Sequence, residues 1–186
     1  AAAREAAKRA LDEGEQWAAL KVLSAAMART DALARFTQET RILSQLNDAR
    51  IARLIDSGRA ADGRPWLAME YVDGEPIDSG CDLRMLPIRA RVRLLIEVAR
   101  AVDHAHRHLV VHRDIKPGNV MLCHNRAEIR LLDFGIAKML EPTHPEDNSA
   151  PTRAFTLSFA SPEQLAGKRV STASDIYQLG VLLYLL

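Results

Sequence analysis

The sequence predicts an α+β fold with two lobes, the first small and rich in strands and the second mainly helical. Three short apolar runs have the composition of buried strands, and they lie near residues 17–23, 52–56 and 66–70. A turn-forming Asp-Gly-Glu-Pro follows at residues 73–76. Beyond it, apolar residues recur at helical spacing from about residue 88 to 108. We therefore expect a first lobe at residues 1–74 and a second at 75–186.

The first lobe places a lysine on its first predicted strand and a glutamate on the helix that follows. Lys21 lies within Ala-Ala-Leu-Lys-Val-Leu. Downstream, four apolar residues recur at helical spacing behind the candidate N-cap Asp31, and they are Leu33, Phe36, Leu43 and Leu46. Glu39 falls on the same, buried edge of this helix. Because an inward-facing carboxylate is costly unless it is paired, Lys21 is its expected partner.

The second lobe begins with a long helix and continues with short strands. The apolar face of the helix at 88–108 is expected to consist of Val92, Leu95, Ile96, Ala99 and Val102. Six arginines between residues 84 and 107 then form a solvated face and not a nucleic-acid surface. Strands at 120–123 and 129–132 are expected to present Asn119 and Asp133 toward a cleft. The Pro-rich stretch at 141–153 is the expected mobile loop.

Two motifs point to phosphoryl transfer. His-Arg-Asp-Ile-Lys-Pro-Gly-Asn occupies residues 112–119, and Leu-Asp-Phe-Gly occupies residues 132–135. Their spacing matches a catalytic loop with its Asn five residues after the Asp, followed by a metal-binding Asp-Phe-Gly. Asp114 is the candidate base for a hydroxyl substrate. Asn119 and Asp133 supply oxygen ligands suited to Mg²⁺, and Lys21 and Lys116 offset the charge of the phosphates.

These motifs resemble the protein kinase superfamily, and most closely the bacterial members of the eukaryotic-like serine/threonine kinases. Residues 69–74, Met-Glu-Tyr-Val-Asp-Gly, are similar to the hinge between the lobes. There the family holds adenine through backbone groups of residues that correspond here to Glu70, Tyr71 and Val72. Ala-Ser-Pro-Glu-Gln at 160–164 resembles the end of the activation segment. Residues 174–181 resemble the start of the helix that anchors the catalytic loop.

The resemblance implies a serine/threonine protein kinase that uses ATP and Mg²⁺ and acts on protein hydroxyl groups. It places Lys116 against the transferred phosphate and buries His112 against Phe134. In the family, the residue equivalent to Arg113 commonly pairs with a phosphorylated activation-loop residue. Autophosphorylation, with self-association, is therefore expected at one of three candidates, which are Thr152, Thr156 and Ser158. Thr156 has the alternative role of contacting Asp114 and Lys116.

Two departures from the family pattern leave other functions open. No glycine precedes Gly14, so the Gly-rich loop is missing or degenerate, and the chain stops on Leu-Leu-Tyr-Leu-Leu without a cap. We expect a kinase core truncated at both ends, with an incomplete second lobe. The alternatives are a pseudokinase or nucleotide-binding scaffold, and an interaction fragment that pairs through its last helix. A small-molecule phosphotransferase is disfavoured by Lys116 and the Ser-Pro-Glu segment.

Composition mainly argues against other classes of protein and site. The net charge is +1, which gives no indication of a nucleic-acid partner. With only Cys81 and Cys123, no disulfide framework is implied, and the expected location is cytoplasmic, either alone or as the cytoplasmic portion of a larger protein. No signal peptide is recognised, and the apolar run at 181–186 is too short to span a membrane. Three histidines near the end of the long helix, His104, His106 and His108, lack a further zinc ligand at motif spacing.

Overall fold

The computed structural model describes residues 18–23, 30–124, 128–134 and 158–186. Contacts within the chain divide them into two compact units. Of the described residues, the first unit contains 18–23, 30–47 and 52–72. The second unit contains 48–51, 73–124, 128–134 and 158–186. The assignment of residues 1–74 and 75–186 to two lobes stays a prediction.

The first unit is built on a three-stranded antiparallel sheet. Its strands are β1 (Ala18–Val22), β2 (Leu54–Arg59) and β3 (Pro65–Glu70), in the order β1-β3-β2. The central strand β3 is the most apolar, and its residues Trp66, Leu67 and Ala68 are buried. Lys21 lies opposite Leu67 in the register. The strands occupy the positions that the apolar runs predict.

Helix α1 (Thr30–Leu43) follows β1, as expected. Leu33 and Phe36 are buried on its inner face. The helix begins at Thr30, so Asp31 lies inside the first turn and the prediction that it is the N-cap is wrong, because a cap precedes the first helical residue. Glu39 is half-buried and does not lie on a fully buried edge.

The second unit combines a small sheet with helices. Strands β4 (Gly74–Pro76), β5 (Val120–Cys123) and β6 (Ile129–Leu131) form an antiparallel sheet in that order. The helices are α2 (Ile77–Leu83), α3 (Ile88–Arg107), α4 (Pro162–Leu165) and α5 (Thr172–Leu185), with a 3₁₀ turn at Pro117–Asn119. Helix α3 packs against α5 and β6.

The buried face of α3 differs from the predicted one. Leu95 and Val102 are buried as expected, but Val92, Ile96 and Ala99 are exposed. The face toward α5 and β6 instead consists of Leu94, Leu95, Val98, Ala101, Val102 and Ala105. Because the helix carries apolar residues on more than one side, periodicity alone leaves the choice of face open.

The arginines near α3 are also not all solvated. The Arg91 Nη1 atom lies 2.8 Å from the Asp82 carboxylate, and its Nε donates to the Leu86 carbonyl at 2.9 Å. Arg84 donates to the Cys123 carbonyl at 2.8 Å. These arginines therefore join α2, α3 and β5. Within the described residues, no helix combines the length and the apolar character needed to cross a membrane.

Candidate active site

The loop between α3 and β5 contains the candidate catalytic residues. Arg113 in this loop has left-handed backbone geometry, with φ of 70°. Asp133, which follows β6, has the same geometry, with φ of 53°. Neither residue is a glycine, so both conformations cost free energy that the surrounding structure must offset. Met85 and Leu109 also have positive φ, so backbone strain supports the motif evidence for a site at Arg113 and Asp133 but does not identify the site by itself.

The carboxylate of Asp114 is held by two side chains of its own loop. Asn119 Nδ2 donates to Asp114 Oδ2 at 3.0 Å and to the Asp114 carbonyl at 2.7 Å. The Lys116 ammonium lies 3.0 Å from the same Oδ2. The structure therefore brings together Asp114, Lys116 and Asn119 as the sequence predicts.

The orientation of the Asn119 amide follows from these contacts. Because Nδ2 faces Asp114, the oxygen Oδ1 points away from that residue and can accept a cation or a donor. The Asn119 carbonyl also accepts the backbone N–H of Leu132 at 2.8 Å, next to the pair Val120 and Leu131 in the β5–β6 ladder. Asp133 directly follows Leu132, so the ladder brings its residue beside Asn119. One carboxylate and one amide oxygen fit Mg²⁺, which shares its coordination shell with substrate phosphates.

A buried carboxylate on α5 binds the backbone of this loop. Asp175 is fully buried, and its oxygens accept the backbone N–H groups of His112 and Arg113, each at 2.8 Å. The imidazole Nε2 of His106 lies 2.8 Å from the same carboxylate. The resemblance of residues 174–181 to an anchoring helix points to this element, but it does not single out Asp175 as the residue that binds the loop.

His112 has a structural role. Its ring lies against Phe134 with centroids 4.7 Å apart, as the resemblance implies. The Nε2 atom lies 2.8 Å from the Leu132 carbonyl, and Nδ1 lies 3.3 Å from the backbone nitrogen of Asp114. Full burial lowers the pKa of this imidazole, although nearby Asp175 opposes the shift. The neutral ring can donate through Nε2 and accept through Nδ1, which suits both contacts.

The predicted nucleotide residues lie in the first unit. Lys21 on β1 and Glu39 on α1 are each partly buried. Glu70 ends β3, and its backbone N–H donates to the Arg53 carbonyl at 2.9 Å. Tyr71 and Val72 follow in extended chain.

Helix α4 begins with a capping box that was not predicted from the sequence. The Ser161 hydroxyl accepts the Gln164 backbone N–H, and Gln164 Oε1 accepts the Ser161 backbone N–H at 2.9 Å. The pattern Ser-x-x-Gln could have predicted it. Glu163 accepts a short hydrogen bond from Ser174, which joins α4 to α5. Of the phosphorylation candidates, Ser158 is exposed, while Thr152, Thr156 and the predicted loop at 141–153 lie outside the described residues.

His104 and His106 on α3, and His108 directly after it, contact different groups. The rings of His104 and His108 lie 4.5 Å apart, and His104 Nδ1 lies 3.7 Å from the Asp48 carboxylate. His106 instead faces Asp175. Their arrangement therefore serves contacts within the second unit.

Comparison with known proteins identifies relatives over nearly the whole chain. The protein kinase domain family matches residues 6–186. Serine/threonine-protein kinase PknB of Mycolicibacterium smegmatis is 35% identical over 172 residues, which is 89% of this chain and 27% of PknB. Serine/threonine-protein kinase pkn3 of Myxococcus xanthus is 38% identical over 161 residues, covering 82% of this chain and 29% of pkn3.

A solved structure shows the same relationship. The crystal structure of the Mycobacterium tuberculosis PknI kinase domain superposes with a TM-score of 0.69 and 35% identity, over 90% of this chain and 62% of that one. The chain thus spans under a third of the length of these curated relatives. The strand-rich first unit, the helical second unit and the similarity to bacterial serine/threonine kinases lead to one conclusion. The chain belongs to the protein kinase domain family.

Proposed function

We propose that the chain is the catalytic core of a serine/threonine protein kinase, which transfers the γ-phosphate of ATP to serine or threonine hydroxyls of proteins. The observation that carries this proposal is the position of Asp114 Oδ2, 3.0 Å from both Asn119 Nδ2 and Lys116 Nζ. A carboxylate, an ammonium and an amide around one point are the groups that phosphoryl transfer needs. The relatives named as serine/threonine kinases support the substrate class.

In this mechanism Asp114 orients the substrate hydroxyl and accepts its proton. Its contacts with Lys116 and Asn119 hold the carboxylate in one direction, so less reorganisation is needed when the substrate arrives. Lys116 offsets the negative charge on the transferred phosphoryl group. Positioning and charge stabilisation are expected to supply most of the rate enhancement in such a site.

Asn119 Oδ1 and the Asp133 carboxylate are the proposed ligands of Mg²⁺. A bound Mg²⁺ offsets charge on the phosphate oxygens and orients them. The hydrogen bonds from Asn119 Nδ2 to Asp114 keep the amide oxygen on the opposite side, which suits this assignment.

The first unit is proposed to bind the nucleotide. Lys21 contacts the phosphates, and Glu39 becomes its partner in the nucleotide-bound protein. Backbone groups of Glu70, Tyr71 and Val72 hold the adenine, and this segment is the proposed hinge at 69–74. In support, the Val72 amide takes part in no backbone hydrogen bond within the described part of the chain.

The substrates are proteins with an accessible serine or threonine, and the chain itself is one of them, with Thr152, Thr156 and Ser158 as the proposed acceptors. The proposed location is the cytoplasm, alone or as the cytoplasmic portion of a larger protein. Cys81 and Cys123 form no disulfide within the described residues, which suits a reducing compartment.

The test is transfer of labelled γ-phosphate from Mg·ATP to the chain and to a generic protein acceptor. Asp114→Asn is expected to abolish transfer. Asp103→Asn is the matched control, because Asp103 lies exposed on α3 and pairs only with Arg107 at 3.0 Å. Transfer that survives Asp114→Asn, or folded wild-type protein that transfers nothing, refutes the proposal.

A further inference from the structure

The two peptide groups on either side of Asp114 are bound by glutamine side chains from distant parts of the second unit. Gln178 Oε1 accepts the backbone N–H of Ile115 at 2.8 Å. Gln164 Nε2 donates to the carbonyl of Arg113 at 2.8 Å, and Gln178 Nε2 approaches the same carbonyl at 3.4 Å. The backbone is therefore bound immediately before and immediately after the candidate base.

The two glutamines are also bound to each other. Gln178 Nε2 donates to Gln164 Oε1 at 2.9 Å, and the Ser161 backbone N–H donates to the same oxygen. The orientation of both amides follows from chemistry, since Ile115 N–H can only donate and the Arg113 carbonyl can only accept. If the Gln178 amide were flipped, its NH₂ group would face the N–H of Ile115, and two donors would meet. We call Gln164 and Gln178 together the glutamine clasp.

Burial makes the clasp costly to break. Gln178 is only 1% exposed and Ile115 is fully buried, so water cannot replace a lost partner. Removing one side of such a contact leaves a buried polar group unsatisfied. Every polar atom of the Gln178 side chain has a partner in this arrangement, and each partner is in or next to the loop of Asp114.

We infer that Gln178 and Gln164 are positioning residues that set the direction of the Asp114 carboxylate. The inference rests on the proposed function, in which Asp114 is the base. Neither glutamine is placed in contact with substrate. They act by fixing the backbone on both sides of Asp114, so that its side chain leaves the loop in one direction.

The clasp also connects Asp114 to the segment that ends at α4. Gln164 belongs to the capping box of α4, and its amide is held by Ser161. A displacement of α4 therefore withdraws the donor from the Arg113 carbonyl. The position of the segment around Ser161 therefore determines whether the backbone before Asp114 keeps its hydrogen bond from Gln164.

The first test is Gln178→Leu, which keeps the approximate volume and removes both the donor and the acceptor. We expect kcat to fall by about 10- to 100-fold, with KM for ATP within about twofold of wild type. Thr40→Val is the matched control, since Thr40 is a buried polar residue whose hydroxyl donates to the Phe36 and Thr37 carbonyls of α1 and not to the loop. Its kcat should stay within about twofold of wild type.

The second test is the pH profile of Gln178→Glu. When its carboxyl is protonated, the side chain has an acceptor for Ile115 and a donor for Gln164, as glutamine has. Burial raises the pKa of a carboxyl, so the neutral form persists toward neutral pH. The ratio of variant to wild-type kcat should therefore approach one at low pH and fall as the pH rises. Because ionisation of a buried carboxyl also destabilises the fold, circular dichroism at each pH must show that the variant stays folded while its kcat falls.

A readout without turnover completes the test. Amide hydrogen exchange at Ile115 should accelerate in Gln178→Leu and remain unchanged in Thr40→Val. If wild-type protein transfers phosphate but Gln178→Leu keeps its kcat, the inference fails and the proposed function stands. If wild-type protein is inactive, the proposed function fails and the inference fails with it. Should Gln178→Leu not fold, a flat ratio for Gln178→Glu across pH overturns the inference.

Discussion

The imidazole of His106 and the buried carboxylate of Asp175 are joined by a contact of 2.8 Å between Nε2 and Oδ2. The same oxygen accepts the backbone N–H of His112, and the other oxygen accepts that of Arg113. One side chain of α5 thereby holds both the end of α3 and the start of the catalytic loop.

Replacing Asp175 with asparagine should destabilise the protein. An amide keeps one oxygen but turns the other acceptor into an NH₂ donor, which faces a backbone N–H or His106. We expect the free energy of unfolding to fall by about 1–3 kcal/mol for an unsatisfied buried donor, as measured by urea denaturation. Asp103→Asn serves as the exposed control. Equal stability of Asp175→Asn and wild type would contradict the assigned role.

Lys116→Met should impair turnover and leave nucleotide binding nearly intact. The ammonium lies 3.0 Å from Asp114 Oδ2, where it is placed to offset charge on the transferred group. We expect kcat to fall by about 10²- to 10³-fold, the range seen when one preorganised donor is lost. Steady-state kinetics and ATP titration separate the two effects. Lys168→Met, at an exposed lysine, is the control, and a loss confined to ATP affinity would argue against this role.

The ion pair between Asp48 and Arg50 should make stability depend on acid pH. Arg50 donates from Nε and Nη2 to the Asp48 carboxylate at 2.8 and 2.6 Å, and this lowers the pKa of Asp48 to about 2. The unfolded chain restores a pKa near 3.9. The contribution, about 2 kcal/mol, is therefore complete above about pH 4 and is lost as the pH falls toward 2.

Asp48→Asn should remove that contribution at neutral pH and flatten the stability curve between pH 4 and 2, as followed by denaturation at several pH values. Asp62→Asn is the matched control, because Asp62 pairs with Arg64 at the same spacing but its side chain is half-exposed. Solvent screening makes such a pair weak, so little change is expected. Parallel curves for Asp48→Asn and wild type would show that the pair does not stabilise the fold.

Two glycines of the second unit should respond in opposite directions to alanine. A Cβ at Gly74 would meet the Leu122 carbonyl oxygen at 2.6 Å, within the β4–β5 ladder. Gly74→Ala should therefore cost about 1–3 kcal/mol through overpacking. A Cβ at Gly180 in α5 meets nothing within 4 Å, so Gly180→Ala should stabilise by up to about 1 kcal/mol. Thermal melting compares them, and the same sign for both would contradict the packing argument.

Local motifs predicted the catalytic loop well because its parts are close in sequence. Asp114, Lys116 and Asn119 lie within six residues, so the loop has few ways to arrange them, and their contacts appear as expected. The strands and the long helix also followed from apolar runs and spacing. The pairing of Lys21 with Glu39 stays a prediction.

The distant side chains that bind the backbone of this loop could not be predicted in the same way. Asp175 and Gln178 bind backbone groups more than 60 residues earlier, and a single sequence does not show which polar residue of a helix turns inward. The buried face of α3 was predicted wrongly for a related reason. Val92 and Ile96 extend its apolar character around the helix, so the choice of buried face depends on α5 and β6.

The dependence of the loop on α5 has a consequence for synthesis on the ribosome. The backbone N–H groups of residues 112, 113 and 115 find their acceptors only in side chains at positions 175 and 178. Translation adds about 5–20 residues per second, so the loop exists for several seconds before its acceptors have been made. A nascent chain therefore contains the residues of the loop for several seconds before it contains the side chains that bind the loop backbone.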